Sequence, residues 1–207
     1  GATGLVGREI LARLLADKTY SAVHCVGRRK PQADHPKLVV HLVNDFAAFN
    51  APAVDDVFIA LGTTIKAAGS QQAFRAVDFD AVVALSTSAR AAGASRLGIV
   101  SAMGADAKSP VFYNRVKGEM EQAVVQLGYD SVTFAHPSLL AGDRESLARP
   151  ARGREKIALA AMRLFKPLIP ANYRTIRAAD VASALVRAVR VGQPGQHVLL
   201  SGDMQSG

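Results

Sequence analysis

Apolar runs of strand length alternate with stretches of helical periodicity along nearly the whole chain. Residues 5–17 predict a first helix, because Leu11, Leu14 and Leu15 recur on one face. Short apolar runs at 22–26, 37–43 and 57–61 predict strands. A long helix over 71–92, a strand over 96–101, a helix over 112–127 and a strand over 131–135 follow. Beyond them come a basic irregular stretch with a helix near 155–165, a helix over 180–191 and a last strand over 196–200. Such alternation predicts an α/β fold, a Rossmann-type doubly wound parallel sheet with helices on both faces. A chain of 207 residues suits one such domain, with 138–177 as a small segment on the substrate side.

Gly1, Ala2, Thr3, Gly4, Leu5, Val6 and Gly7 space three glycines three apart, directly before the first helix. A glycine permits positive φ in a tight turn, a second lets backbone approach a pyrophosphate, and a third lets helix and sheet pack closely. The helix N-terminus then offers free N–H groups to phosphate. A plain structural turn has the same composition, and what separates the two is context: the next strand follows at the distance a βαβ unit requires. A loop of this kind joins a central strand to a helix, so a strand is expected before Gly1.

After the strand over 22–26 stand Gly27, Arg28, Arg29 and Lys30, where an NAD enzyme places a carboxylate on the ribose. Guanidinium groups suit a 2′-phosphate instead, so NADP(H) is expected over NAD(H), with a merely solvated basic turn as the alternative. Asp45 and Phe46 end the next strand beside the expected adenine position, and Asp45 serves equally as a turn cap. Leu61, Gly62 and Thr63 end the strand over 57–61, on the sheet edge where such folds bind ligands.

Tyr113 and Lys117 lie four apart on a predicted helix, and Ser101 ends the preceding strand. A phenol gives a proton to a carbonyl usefully only when its pKa falls from about 10, and a neighbouring ammonium lowers it. A serine hydroxyl can hold the carbonyl oxygen while a bound nucleotide exchanges hydride with the carbon. A surface pair of Tyr and Lys arises often by chance; the serine, its strand and the glycine loop favour the catalytic reading.

These motifs, with Leu61–Thr64, Ser101–Asp106 (Ser-Ala-Met-Gly-Ala-Asp), Tyr113–Glu121 (Tyr-Asn-Arg-Val-Lys-Gly-Glu-Met-Glu) and His136–Arg144, resemble the atypical short-chain dehydrogenases. Within them the match is to the Tat-interactive-protein/oxidoreductase-like group, often labelled nucleoside-diphosphate-sugar epimerase-like. The resemblance spans essentially the whole chain and implies a Rossmann fold, bound NADP(H), and Ser101, Tyr113 and Lys117 as the catalytic set. It also implies that His136, Pro137 and Ser138 run near the nicotinamide. His136 departs from the arginine usual before that proline, and packing at a strand end is its other reading. The segment over 138–177 is much shorter than the substrate domain of true sugar-nucleotide epimerases. Asp180 is read as a helix N-cap.

Composition narrows the choice of partners. With 49% hydrophobic and 20% charged residues, the chain is a folded one. No run approaches the roughly 20 apolar residues of a membrane helix, so a soluble, cytoplasmic protein is expected. A lone Cys25 excludes an internal disulfide, and five scattered histidines give no metal site. The formal charge of +8 concentrates between Arg144 and Arg177, where nine Lys and Arg face only Glu145 and Glu155. That stretch is either a solvated surface or a cover over an anionic small molecule; with few interleaved aromatics, nucleic acid ranks last.

The leading expectation is an NADP-dependent oxidoreductase acting on the carbonyl or alcohol of a small, anionic molecule. A cofactor-sensing binding protein without robust turnover is the second, and an epimerase that retains its cofactor the third. Monomer and homodimer are both compatible, since residues 71–92 and 112–127 occupy positions that often build a four-helix interface.

Overall fold

The computed structural model describes residues 1–141, Asn172 and residues 174–205. Helix α1 (Leu5–Ala16) leads into β1 (Val23–Gly27) and β2 (Leu38–Leu42), which pair in parallel with Cys25 opposite Val40. Strands β3 (Asp56–Ile59), β4 (Arg96–Val100), β5 (Ser131–His136) and β8 (Gly195–Leu200) form a second parallel sheet in the order β3-β4-β5-β8. Ile59 faces Ile99, which faces Phe134, which faces Val198 across it. Two short strands, β6 (Leu140–Ala141) and β7 (Ile176–Arg177), pair beside it.

Helices cover both faces, and the core divides accordingly. On one face α1 and α6 (Ala178–Val191) bury Ile10, Leu11, Leu14, Val181 and Leu185 against β1 and β5. Gly98 lets α6 reach β4, since a Cβ there would stand 2.6 Å from Val189 Cγ2. On the other face α4 (Ala81–Ala91) and α5 (Phe112–Val125) bury Val82, Met120 and Val124 against Leu97, Ile99 and Phe134. Burial of this kind, at roughly 25 cal/mol per Å² of apolar surface, is what holds the layers together.

Between β1 and β3 runs a cavity of about 280 Å3, lined by both strands and by Ile10, Leu11 and Leu14 of α1. Tyr20 closes one end, its hydroxyl donating to Asp56 Oδ2 at 2.6 Å.

Three features refine the sequence reading. A one-turn helix α2 (Ile65–Ala68), capped by the Thr64 hydroxyl, precedes the long helix. That long helix is composite: α3 (Gln71–Arg75), capped by Ser70, passes through a π-helical turn (Ala76–Asp80) into α4. Asp180 does not cap α6. It is the third residue of that helix, where its carboxylate takes both Nε (2.8 Å) and Nη2 (2.7 Å) of Arg177, the true N-cap residue. After β8 the chain turns once more as α7 (Ser201–Met204). The helix expected over 155–165 and most of the basic stretch lie outside the described residues.

Candidate nucleotide and catalytic site

The glycine loop meets the sheet at the C-terminal end of β3. A Cβ on Gly1 would stand 2.0 Å from the Ala60 carbonyl oxygen, and one on Gly7 would stand 2.0 Å from the Gly1 carbonyl oxygen. Neither Gly4 nor Gly7 has positive φ, so the loop needs these glycines for close approach and not for a left-handed turn. Gly4 is the N-cap of α1 without a side-chain cap, which leaves the first-turn N–H groups to bind an anion. The first-turn amides of α1, which no side chain caps, fit a pyrophosphate.

Arg28, Arg29 and Lys30 are exposed after β1. Arg29 Nη2 donates to the Thr3 hydroxyl at 3.3 Å, which brings its guanidinium over the glycine loop. Asp45 is exposed and accepts from Ala47 N at 2.9 Å, making a turn; Phe46 is half-buried beside it.

The reactive residues gather on α5 and the strand ends around it. Tyr113, Lys117 and Glu121 succeed one another at four-residue intervals along α5. Gly118 lets this helix touch the loop after β4, since a Cβ there would stand 2.1 Å from Ala107 N. Tyr113 is half-buried and packs against Phe74, ring centroids 5.3 Å apart. Lys117 is buried, its Nζ 2.6 Å from Oδ1 of Asp78, itself fully buried in the π-helical turn. That contact is an ion pair without good hydrogen-bond geometry, while Asp78 Oδ2 accepts from Thr63 N at 2.9 Å. Burial pushes the Asp78 carboxyl upward, and Lys117 and the Thr63 amide pull the other way. Gly62 runs beside the pair: a Cβ on it would lie 3.5 Å from Asp78 Oδ1.

Ser101, buried just past β4, donates to Glu121 Oε1, and His136 Nε2 at the end of β5 lies 2.8 Å from the same oxygen. His136, the last residue of β5 and so at the strand end that was one of its two expected places, is joined to the site through Glu121. Pro137 accepts from Met103 N at 3.2 Å, and the Ser138 hydroxyl lies 2.9 Å from that of Ser201. Glu121 also lines a second cavity of about 870 Å3 with Arg75, Phe79 and Gln122.

Ser101, Lys117, Leu61–Thr63 and His136 thus converge on one sheet edge, and two carboxylates that the sequence reading passed over, Asp78 and Glu121, connect them. Glu121 carried a signal, since it continues the four-residue spacing of Tyr113 and Lys117. Asp78 carried only the oddity of a carboxylate between Val77 and Phe79. Among the described residues no cluster could hold a metal ion.

A parallel sheet layered between helices, with a glycine cradle at its C-terminal edge, is the Rossmann architecture of the short-chain dehydrogenases and sugar-nucleotide epimerases, and solved structures confirm that fold. MoeE5, solved with UDP-glucose and NAD, superposes with a TM-score of 0.69 at 16% identity, over 96% of this chain and 73% of its own. A short chain dehydrogenase family protein from Francisella tularensis gives 0.68 at 13% identity, over 98% and 96%. The UDP-glucose 4-epimerase of Thermotoga maritima gives 0.67 at 14%, over 98% and 75%.

In sequence, the chain belongs to the Fmp52 family. It is 36% identical over 161 residues to the protein fmp52, mitochondrial, of Emericella nidulans, covering 73% of this chain and 69% of that one. It is 33% identical over 161 residues to the Aspergillus niger protein of the same name, covering 73% and 68%. No family model matches. These relatives correct the cytoplasmic expectation: all are named mitochondrial proteins, and a chain without a membrane-length apolar run is as compatible with an organelle as with the cytoplasm.

Proposed function

We propose that this protein is a nicotinamide-nucleotide-dependent oxidoreductase of the short-chain dehydrogenase/reductase type. It reduces a carbonyl, or oxidises an alcohol, on a small and anionic molecule, with NADP(H) favoured over NAD(H). Within the superfamily its motifs point to the Tat-interactive-protein/oxidoreductase-like group. The mitochondrial names of its relatives support the same location here. The observation that carries the reading is the buried Lys117–Asp78 pair on the helix of Tyr113, at the sheet edge where Ser101 is held by Glu121.

When bound, the nucleotide supplies a hydride donor or acceptor, and the chain's own residues do the rest. The amides after Gly4 hold pyrophosphate, and Arg28 and Arg29 take the 2′-phosphate, a role the Arg29–Thr3 contact supports. Leu61–Thr63 passes the dinucleotide and, through Thr63 N and Asp78, is tied to Lys117. Asp78 pairs with Lys117 and fixes its place one turn along the helix from Tyr113, whose phenol gives its proton to a carbonyl oxygen. Ser101 holds that oxygen. Phe46 lies toward the adenine, while Pro137 and Ser138 border the nicotinamide side. The cavity between β1 and β3 supports a further reading, that a central strand preceding Gly1 fills it.

Replacing Tyr113 with Phe tests the proposal against a panel of carbonyl compounds and NADPH. Turnover is expected to fall by about 100-fold or more, with nucleotide affinity unchanged. Undiminished turnover would remove Tyr113 from the mechanism.

A further inference from the structure

The strand ends around Ser101 carry no charged residue. Three segments leave the C-terminal ends of neighbouring strands there, residues 61–65 after β3, 101–105 after β4 and 137–141 after β5, and every side chain in them is apolar or a neutral hydroxyl. The ionisable side chains of the site that these segments surround, Asp78, Lys117 and Glu121, are all buried. What stands exposed is apolar: Met103 is 39% exposed, Val111 54% and Leu139 45%. Each of the three is fixed relative to the reactive groups. The ladder between β4 and β5 runs on past the strands, from Ser101 N to Ala135 O at 2.9 Å and from Met103 N to Pro137 O at 3.2 Å, so Met103 lies two residues beyond Ser101 along it. Val111 is the N-cap residue of α5, two before Tyr113. Leu139 follows Ser138, and its carbonyl accepts from Ile176 N at 3.1 Å. Large apolar side chains left in water beside convergent polar groups mark a place where a ligand buries apolar surface of its own.

We propose that Met103, Val111 and Leu139 form the rim of the substrate pocket, and that the substrate is an aldehyde or ketone whose carbonyl is carried on an apolar hydrocarbon body, with no charged group beside the carbonyl. The inference rests on the proposed function and narrows its substrate class, because the anionic group then belongs at the end of the molecule remote from the carbonyl. A carboxylate next to the carbonyl would lose water against Met103 and Leu139 with no cation in the three segments to replace it, which is costly. Methylene groups in the same place gain, by about fourfold in kcat/KM for each one buried. The chemical step is unchanged: hydride passes from the reduced nucleotide to the carbonyl carbon, the proton of Tyr113 passes to its oxygen, and the products are an alcohol and the oxidised nucleotide.

The test is the rate of NADPH oxidation by the full-length protein on straight-chain aldehydes from propanal to heptanal, with glyoxylate, whose carboxylate adjoins the carbonyl, as the contrasting probe. The expected result is that kcat/KM rises by about fourfold per methylene until the pocket is filled, and that glyoxylate falls below propanal. Met103→Ser and Leu139→Ser should each cut the ratio of heptanal to propanal by roughly tenfold. Val191→Ser is the control. Val191 is 72% exposed at the C-terminal end of α6, next to Gly192, which adjoins Arg96 at the opposite edge of the sheet, and its loss should leave the ratio where it was. Rates that stay flat or fall with chain length, or a preference for glyoxylate over propanal, overturn the inference and leave the proposed function standing. An unchanged ratio in both serine variants does the same, as does an equal loss on both aldehydes, the outcome if the protein itself covers these side chains. Turnover of none of these carbonyl compounds overturns the proposed function, and the inference with it.

Discussion

Asp56 and Asp78 are buried carboxylates at opposite ends of one parallel sheet, and they are held in different ways. At the N-terminal end, both oxygens of Asp56 are hydrogen-bonded, Oδ2 to the Tyr20 hydroxyl at 2.6 Å and Oδ1 to Arg96 Nε at 2.5 Å. The clamp is electrostatically complete. Burial, with the carboxylate beside it, pushes the Tyr20 phenol well above its usual range, and the bond to Asp56 raises Arg96. At the C-terminal end, Asp78 has one good hydrogen bond and a lysine on its other oxygen, and that lysine lies on the helix of Tyr113. A site that acts on a ligand keeps polar groups partly satisfied and poised, whereas a structural clamp satisfies them all.

The largest effect that would break this contrast comes from Lys117→Met. Removing one partner of a buried pair leaves Asp78 uncompensated, and the expected cost is about 3–5 kcal/mol in urea unfolding. A loss below 1 kcal/mol, on the order of a surface pair, would mean that Asp78 does not depend on Lys117. Gly118→Ala comes next. The added methyl meets the Ala107 backbone, and overpacking of this kind costs about 1–3 kcal/mol. Turnover should fall with it, because the Ser101 loop is displaced.

Arg96→Met sharpens the comparison from the other end. Its side chain is 36% exposed and Asp56 keeps Tyr20, so a loss of about 1 kcal/mol is expected. Nucleotide affinity should not move, and a change in it would show that the two ends communicate. The smallest effect belongs to His24, whose imidazole is lowered by burial and by its neighbour His41, 2.9 Å away. A base with a depressed folded pKa favours its neutral form, so its contribution is present above the ordinary imidazole range and lost as pH falls through it. Unfolding curves at pH 7.5 and 5.5 should show the fold weaker at the lower pH, with the difference reduced in His24→Gln.

The main elements of the fold were legible because apolar periodicity marks them, and those expected among the described residues depart from their expected bounds by about two residues or fewer; the short elements Ile65–Ala68, Leu140–Ala141, Ile176–Arg177 and Ser201–Met204 are too brief to carry a period and were not expected. The glycine loop was legible as a motif, and close packing was among the reasons expected for it; that its partner is the Ala60 backbone is a tertiary fact. The π-helical turn left no local signature, and with it Asp78 went unnoticed. Glu121 was within reach: Tyr113, Lys117 and Glu121 form a polar stripe beside Val116, Met120 and Val124. What the pattern could not say is that the carboxylate turns to Ser101 and His136, at the ends of two different strands.

The most direct test of nucleotide dependence is a titration of the full-length protein with NADPH and NADH, followed by nucleotide fluorescence or calorimetry and repeated with Arg28 and Arg29 each replaced by Ala. Binding of both nucleotides with a clear preference for NADPH, lost in the arginine variants while NADH affinity stays, is the predicted result. No binding of either nucleotide would contradict it and would leave the glycine cradle as a structural turn.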